Sequence, residues 1–272
     1  KSKINVEKYW DKQKLDYWSG LPLNAERSTL SAFSGPVDWY NGGMEHTTLH
    51  LLYSRFWHKF LFDIGVVPTS EPYKKRTSHG LILAEGGVKM SKSRGNVINP
   101  DEMVERFGAD TLRTYEMFMG PFEQAIAWDT DGLVGVKRFL EKVWRIGERI
   151  KNNELRIKNE DQNTKVESQL NAKRSTLNAS LETLIHKTVK KVGEDVEEMR
   201  FNTAVSALMI ASNEMDSAES VPQNLFEMYL KILSIFAPHL AEEMWAGLGY
   251  KNSIMTEPWP QYDEAKLSSA KV

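Results

Sequence analysis

Leu49, Leu52, Tyr53, Phe56 and Phe60 fall three or four residues apart, the spacing of one face of a helix. Gly65 follows where a left-handed residue would stop it. The run "HGLILA" (79 to 84) is short, apolar and bounded by turn-forming residues, which predicts a buried strand. In "NPDEMVERFG", Asn99 can cap a helix, Pro100 suits its first turn, and Asp101 and Glu102 favour its positive end. Gly108 ends that helix, Asp110 is expected to cap the next, and Gly120-Pro121 stops it. From Gly132 onward the period is helical throughout. Stripes run through Val136, Phe139, Leu140 and Val143, then Leu177, Leu181, Leu184 and Thr188. A third runs through Leu225, Met228, Tyr229, Ile232, Leu233 and Phe236, cut off by Pro238. Residues 151–169 are polar and read as a long connection or a solvated helix end. Residues 1–40 carry many aromatics but no sustained period. Turn signals at Gly20, Pro22, Gly35 and Pro36 make that segment loop with short elements.

This pattern divides the chain into an N-terminal segment (1–40), an α/β part (41–130), a helical bundle (131–262) and a tail (263–272). The fold class expected is α/β plus all-α. Trp57, Phe60, Trp128 and Trp144 stand at helical or turn spacing and are assigned to the core.

Composition narrows the class. The 272 residues are enough for two domains, and 41% hydrophobic with 26% charged residues describes a globular chain. No apolar run approaches a membrane span and no signal segment opens the chain, so no membrane partner is expected. The first residue is Lys1 rather than methionine, consistent with a processed or excised piece. With no cysteine there are no disulfides or thiolate metal sites, which fits a cytoplasmic location. A formal net charge of −2 does not mark a dedicated nucleic-acid binder. The run from Lys137 to Lys158 nevertheless holds eight Lys or Arg against three Glu, readable as a solvated face or a polyanion track.

Candidate chemistry gathers in two places. "VKMSKSRGN" (88 to 96) sets Lys89 and Lys92 in a loop of small residues between a strand and a capped helix, the junction where open α/β sheets bind ligands. Such a loop is either plain solvated surface or a phosphate clamp, in which two ammonium groups follow a triphosphate. Upstream, Gly42 and Gly43 allow backbone to approach a ligand just before a helix begins. Glu45 is placed either to accept from ribose hydroxyls or to serve as a first-turn dipole partner. His46 and His50 are four apart on a shared face. HExxH is not matched and no third ligand is in sight, so a hydrogen-bonded pair is favoured over a metal site.

The residues also resemble a known family. KMSKS is the second signature of class I aminoacyl-tRNA synthetases. "GGMEHTTLHLLYSRFWHKFLFD", "KMSKSRGNVINPDEMVERFGADTLRTYEMFMGPFEQ" and "RFLEKVWR" closely resemble bacterial-type leucyl-tRNA synthetases. The likeness is strong over about residues 36 to 150 and looser through the bundle to about 262. The chain departs from the family in having no H-x-G-H signature, no inserted editing domain and no small C-terminal domain after "PWPQYDEAKL". The resemblance therefore implies the second half of a Rossmann-type nucleotide-binding fold followed by an anticodon-binding-type bundle, as a fragment of a longer enzyme.

It implies ATP-dependent activation of leucine and its transfer to tRNA(Leu). ATP would come with Mg2+, no metal would be ligated by protein, and the full enzyme would be monomeric. Lys89 and Lys92 would be catalytic on the pyrophosphate side, Lys92 foremost, with Ser91, Ser93 and Gly95 keeping the loop compliant. Met90 and the backbone of Gly80, Leu81 and Ile82 would meet adenine. Gly42, Gly43, Glu45, His46 and His50 would line the adenylate and leucine pocket. Arg145 and Arg149 would follow tRNA phosphates. Without H-x-G-H the isolated chain would be inactive. Two readings stand beside this one: a non-catalytic tRNA-binding module on the same scaffold, and another KMSKS-type adenylate-forming enzyme with a small amine or thiol acceptor. "HLLYSRF" and the bundle argue against the latter.

Overall fold

The computed structural model describes residues 37–67, 69–159 and 168–267, with backbone alone for 153–159 and 168–178. The readings of residues 1–36, 160–167 and 268–272 lie outside the described residues. The chain forms two compact units, divided between Leu81 and Ile82, with Glu123–Ala125 returning to the first.

In the first unit, β1 (Val37–Gly43) and β2 (Tyr73–His79) pair in parallel, connected by α1 (His50–Asp63). Neither strand alternates apolar and polar residues, so sequence pattern assigned Val37–Tyr40 to loop. The ladder makes it strand. Helix α1 is where the spacing places it, and Gly65 follows with φ +79°. Its apolar stripe is not core, however. Leu49, Leu52, Tyr53, Phe56, Trp57 and Phe60 are between 45% and 64% exposed, because no described element lies against that face. Polar contacts tie the helix down instead. Arg55 and Lys59 reach Glu71 (each 2.7 Å), and His58 donates to the carbonyl of buried Thr69 (2.7 Å). Arg55 leads, with Lys59, in holding the Glu71 carboxyl down to about 2.

The strand expected over 79–84 is broken in two. β2 ends at His79, and β3 (Ile82–Leu83) belongs to the second unit, where it pairs in parallel with β4 (Ile126–Ala127). Gly80 lies at the break, where a Cβ would collide with the Gln124 carbonyl. Nor is the run buried throughout, since Ile82 is exposed and only Ala84 is fully covered.

The second unit carries α2 (Pro100–Phe107), α3 (Ala109–Phe118), α4 (Thr130–Asn159), α5 (Ser168–Glu197), α6 (Phe201–Ser217), α7 (Gln223–Leu233) and α8 (Pro238–Gly247). Asn99 caps α2 as expected, accepting from the Asp101 amide (3.1 Å). Asp110 does not cap its own helix, whose N-cap is Gly108. It accepts from Leu240 N and His239 Nδ1 (both 2.7 Å) and so caps α8. The position that would normally do this is Ala237, which has no side-chain oxygen. Pro238 thus both ends one helical stretch and opens the next.

One core is formed along α4 to α8, with Val143, Ile146, Ile185, Leu208, Phe226 and Tyr229 at or near zero exposure. A smaller one holds Met103, Leu112, Tyr115, Trp128, Leu133 and Val136. Met209 and Phe118 pack against both, so the segment from β3 to α3 and the helical bundle share one body. Trp128 is core as expected, but Trp144 is 39% exposed. It lines a cleft of about 460 Å³ with Phe107, Lys137 and His239. No described helix is long and apolar enough to cross a membrane.

Candidate nucleotide site

In the first unit the carboxyl ends of β1 and β2 lie side by side, Gly42 opposite Ser78 and Gly43 opposite His79. Parallel strands present such ends to ligands. Gly43 leads directly into a single 3-10 turn, Met44–His46. The Glu45 carboxylate folds back over the Gly43 α-carbon, and any Cβ at Gly43 would collide with it. His46 stands beside it, Nε2 4.0 Å from Glu45 Oε1.

His50 begins α1 and hydrogen-bonds the Tyr40 hydroxyl, and Tyr40 stacks on Tyr73 with ring centroids 4.5 Å apart. The two histidines therefore occupy different elements rather than the shared helical face their spacing suggests. Among the described residues, no three His, Cys, Asp or Glu side chains are grouped to hold a metal ion. His79 donates from Nδ1 to the Gly80 carbonyl (2.8 Å), and Leu81 ends this unit.

The second unit holds the lysine loop, entered from Ile82 in β3. Leu83 and Lys89 bridge across its base, and the Ala84 amide donates to the Val88 carbonyl (2.8 Å). Gly86 and Gly87 turn the chain at φ +80° and +76°. Lys92–Arg94 form a second 3-10 turn, closed by Gly95 at φ +66°.

Asn96, which sequence reasoning did not single out, staples the loop. Its Oδ1 accepts from Ser91 N (2.8 Å) and its Nδ2 donates to the Lys89 carbonyl (3.3 Å). Ser91 and Ser93 hydrogen-bond each other at 2.8 Å. Met90 points inward and packs against the smaller core. The loop backbone is thus tied by its own hydrogen bonds, while its lysines stay exposed. Lys89 and Lys92 are exposed, and neither forms an ion pair among the described residues. The only sequence signal for Asn96 was an amide side chain within reach of a short loop's backbone.

Of the two arginines expected to follow tRNA phosphates, Arg145 is exposed. Arg149 instead donates to the carbonyls of Met215 (2.6 Å) and Asp216 (3.1 Å), satisfying the last turn of α6. Lys142 likewise reaches Asn213. Part of the basic run therefore joins helix to helix.

Comparison with known proteins agrees with both halves. Residues 24–129 match the family model of tRNA synthetases class I (I, L, M and V), and 178–272 match the anticodon-binding domain of tRNA ligase. The chain is 48% identical over 262 residues to a leucine–tRNA ligase of Alkaliphilus oremlandii (strain OhILAs), covering 96% of this chain and 28% of that protein. It is similar to the crystal structure of the ternary complex of Agrobacterium radiobacter K84 agnB2 LeuRS-tRNA-LeuAMS. There the TM-score is 0.73 at 30% identity, over 88% of this chain and 31% of that one. Mycobacterium tuberculosis methionyl-tRNA synthetase bound by methionyl-adenylate shares the fold, with TM-score 0.59 at 17% identity over 85% and 48%. The chain spans under a third of the leucine enzymes it matches. With a synthetase segment carrying the lysine loop and an anticodon-binding bundle behind it, the chain belongs to the class I tRNA synthetases, as part of a leucine–tRNA ligase homologue.

Proposed function

We propose that the enzyme containing this stretch activates leucine with ATP and charges tRNA(Leu). The leucine carboxylate attacks the α-phosphorus, and the bond to the bridging oxygen breaks. Pyrophosphate leaves, and the leucyl group then passes to a hydroxyl of the terminal adenosine while AMP departs. ATP enters as its Mg2+ complex. The observation that carries this reading is the 48% identity to a leucine–tRNA ligase over 96% of this chain.

The chemistry fits the residues. Lys92 and Lys89, exposed and unpaired among the described residues, stabilise charge on the departing pyrophosphate. Ser91, Ser93 and Asn96 shape the loop that carries them, and Met90 anchors it. Glu45 accepts from the ribose hydroxyls at the Gly42–Gly43 turn, and His46 and His50 flank the adenylate. Backbone from Gly80 through Leu81 to Ile82 meets adenine. Arg145 contacts tRNA phosphate, with Arg149 mainly structural. Such a protein works in the cytoplasm. The second reading, a non-catalytic tRNA-binding module, has the bundle in its favour but leaves the exposed lysines without a task.

The test is leucine-dependent exchange of pyrophosphate into ATP. The 272 residues contain no H-x-G-H, and loss of even one preorganised donor costs about 100- to 1000-fold in rate. The chain alone should show no exchange. Supplying the H-x-G-H half as a separate chain should restore it. Robust exchange by the chain alone, or none after complementation, would refute this assignment.

A further inference from the structure

Arg76 is the residue in the first unit that neither the motifs nor the roles above account for. It sits on β2 opposite Tyr40, yet its side chain runs along β1 to the carboxyl end. Nη2 donates to the carbonyls of Gly42 (3.1 Å) and Gly43 (2.9 Å), and Nη1 donates to the Ser78 hydroxyl. Nη2 also lies 3.6 Å from where a Cβ of Gly42 would be. One guanidinium thus spans the ends of both strands at the proposed ribose-binding turn.

Pinning these two oxygens has a geometric consequence. The peptide unit is planar, so fixing the Gly43 carbonyl also fixes the direction of the Met44 N–H. That amide opens the Met44–His46 turn, and Glu45 is its middle residue. A strand that ends on two glycines has more conformational freedom at its exit than one that ends on residues with side chains. The positive charge suits the task, because charge-assisted bonds to carbonyls are stronger than neutral ones. A lysine cannot substitute fully: its compact ammonium lacks the planar fork that reaches both the Ser78 hydroxyl and the carbonyls.

We propose that Arg76 is a positioning residue for nucleotide binding. It fixes the Gly42–Gly43 turn so that Glu45 is aimed at the ribose before ATP arrives. It acts through the turn: Nη2 spends both its N–H groups on the Gly42 and Gly43 carbonyls, Nη1 donates to Ser78, and Nε is buried. The inference rests on the ribose role proposed for Glu45, and the experiment separates the two.

In the intact synthetase, leucine-dependent pyrophosphate exchange is measured with ATP and with 2′,3′-dideoxyATP, which lacks both ribose hydroxyls. Wild type, Glu45→Gln, Arg76→Met and Arg76→Lys are compared. Glu45→Gln should erase most of the preference for ATP. Arg76→Met should reduce that preference by about 10-fold and raise KM for ATP, while kcat at saturating ATP changes by less than about threefold. Arg76→Lys should fall between Arg76→Met and wild type. It also supplies the answer if Arg76→Met does not fold, because it keeps the charge and stem. Loss of preference in Glu45→Gln with full preference in both Arg76 variants overturns the positioning role. Equal loss of rate toward both nucleotides in the Arg76 variants overturns it too, as that marks a merely structural residue. An unchanged preference in Glu45→Gln refutes the ribose reading, and the Arg76 proposal falls with it.

Discussion

Asp110→Ala should loosen α8 rather than the helix that contains Asp110. The carboxylate is 12% exposed and accepts from Leu240 N and His239 Nδ1, each at 2.7 Å. At the start of α8, Pro238 has no N–H and Ala237 offers no cap, so no local side chain replaces Asp110 at the Leu240 amide. An N-cap is worth roughly 0.5–2 kcal/mol, and a carboxylate near a helix N-terminus adds about 0.3–1 kcal/mol. The His239 contact adds little, since that side chain is 76% exposed. The expected cost is therefore about 1.5–2 kcal/mol. This corresponds to roughly 10- to 30-fold faster native-state hydrogen exchange at Leu240 and Ala241. Asp110→Asn keeps an acceptor oxygen and should cost about half as much. Exchange by mass spectrometry or NMR, on matched samples, reads this directly. Faster exchange at Thr111 to Arg113 with unchanged α8 would refute the reasoning, because it would return Asp110 to its own helix.

Three further outcomes follow from the same geometry. Glu71, held down to about 2 chiefly by Arg55, contributes stability that is fully present above about pH 4.5. That contribution, about 1–2 kcal/mol after screening of the half-exposed partners, is lost as pH falls toward 2. Urea midpoints at pH 6 and pH 3 should differ less in Glu71→Gln than in wild type. Gly147 lies where a Cβ would come within 2.9 Å of Met244 Cε and 3.3 Å of the Phe226 ring. Gly147→Val should destabilise the bundle by about 1–3 kcal/mol in chemical denaturation. Arg149→Glu should lower bundle stability by freeing the Met215 and Asp216 carbonyls, whereas Arg145→Glu should leave stability unchanged. Only Arg145→Glu should reduce the salt dependence of tRNA binding while folding stays intact, with leucine and non-leucine tRNAs affected alike.

The sequence was most legible where burial repeats locally. The stripes through Val136 to Val143 and Leu225 to Leu233 are core because each turn of helix meets the same interior. Asn99, Pro100 and Gly65 acted as their local chemistry dictates. What stayed hidden depends on partners distant in the chain. Asp110 looked like a first-turn cap, yet its acceptors serve a helix 130 residues away. The strands Val37–Gly43 and Tyr73–His79 carry no apolar alternation, and only their pairing defines them. The stripe of α1 correctly gave a helix but not its surroundings, because periodicity shows that a face is apolar and not what lies against it. In the candidate site, the motif lysines and glycines could be read directly. Asn96 and Arg76 could not, since both work by holding backbone oxygens and amides that sequence does not place.

The central claim is that the lysine loop acts on the pyrophosphate side of ATP and not on the later transfer. The direct measurement compares two steps for Lys92→Ala in the intact synthetase. Pyrophosphate exchange reports adenylate formation, and single-turnover transfer from preformed leucyl-adenylate to tRNA(Leu) reports the second step. Exchange should fall by about 100- to 1000-fold, as for loss of one preorganised charge-stabilising donor, while transfer stays within about twofold. Equal losses in both steps, or exchange left intact, would contradict the account.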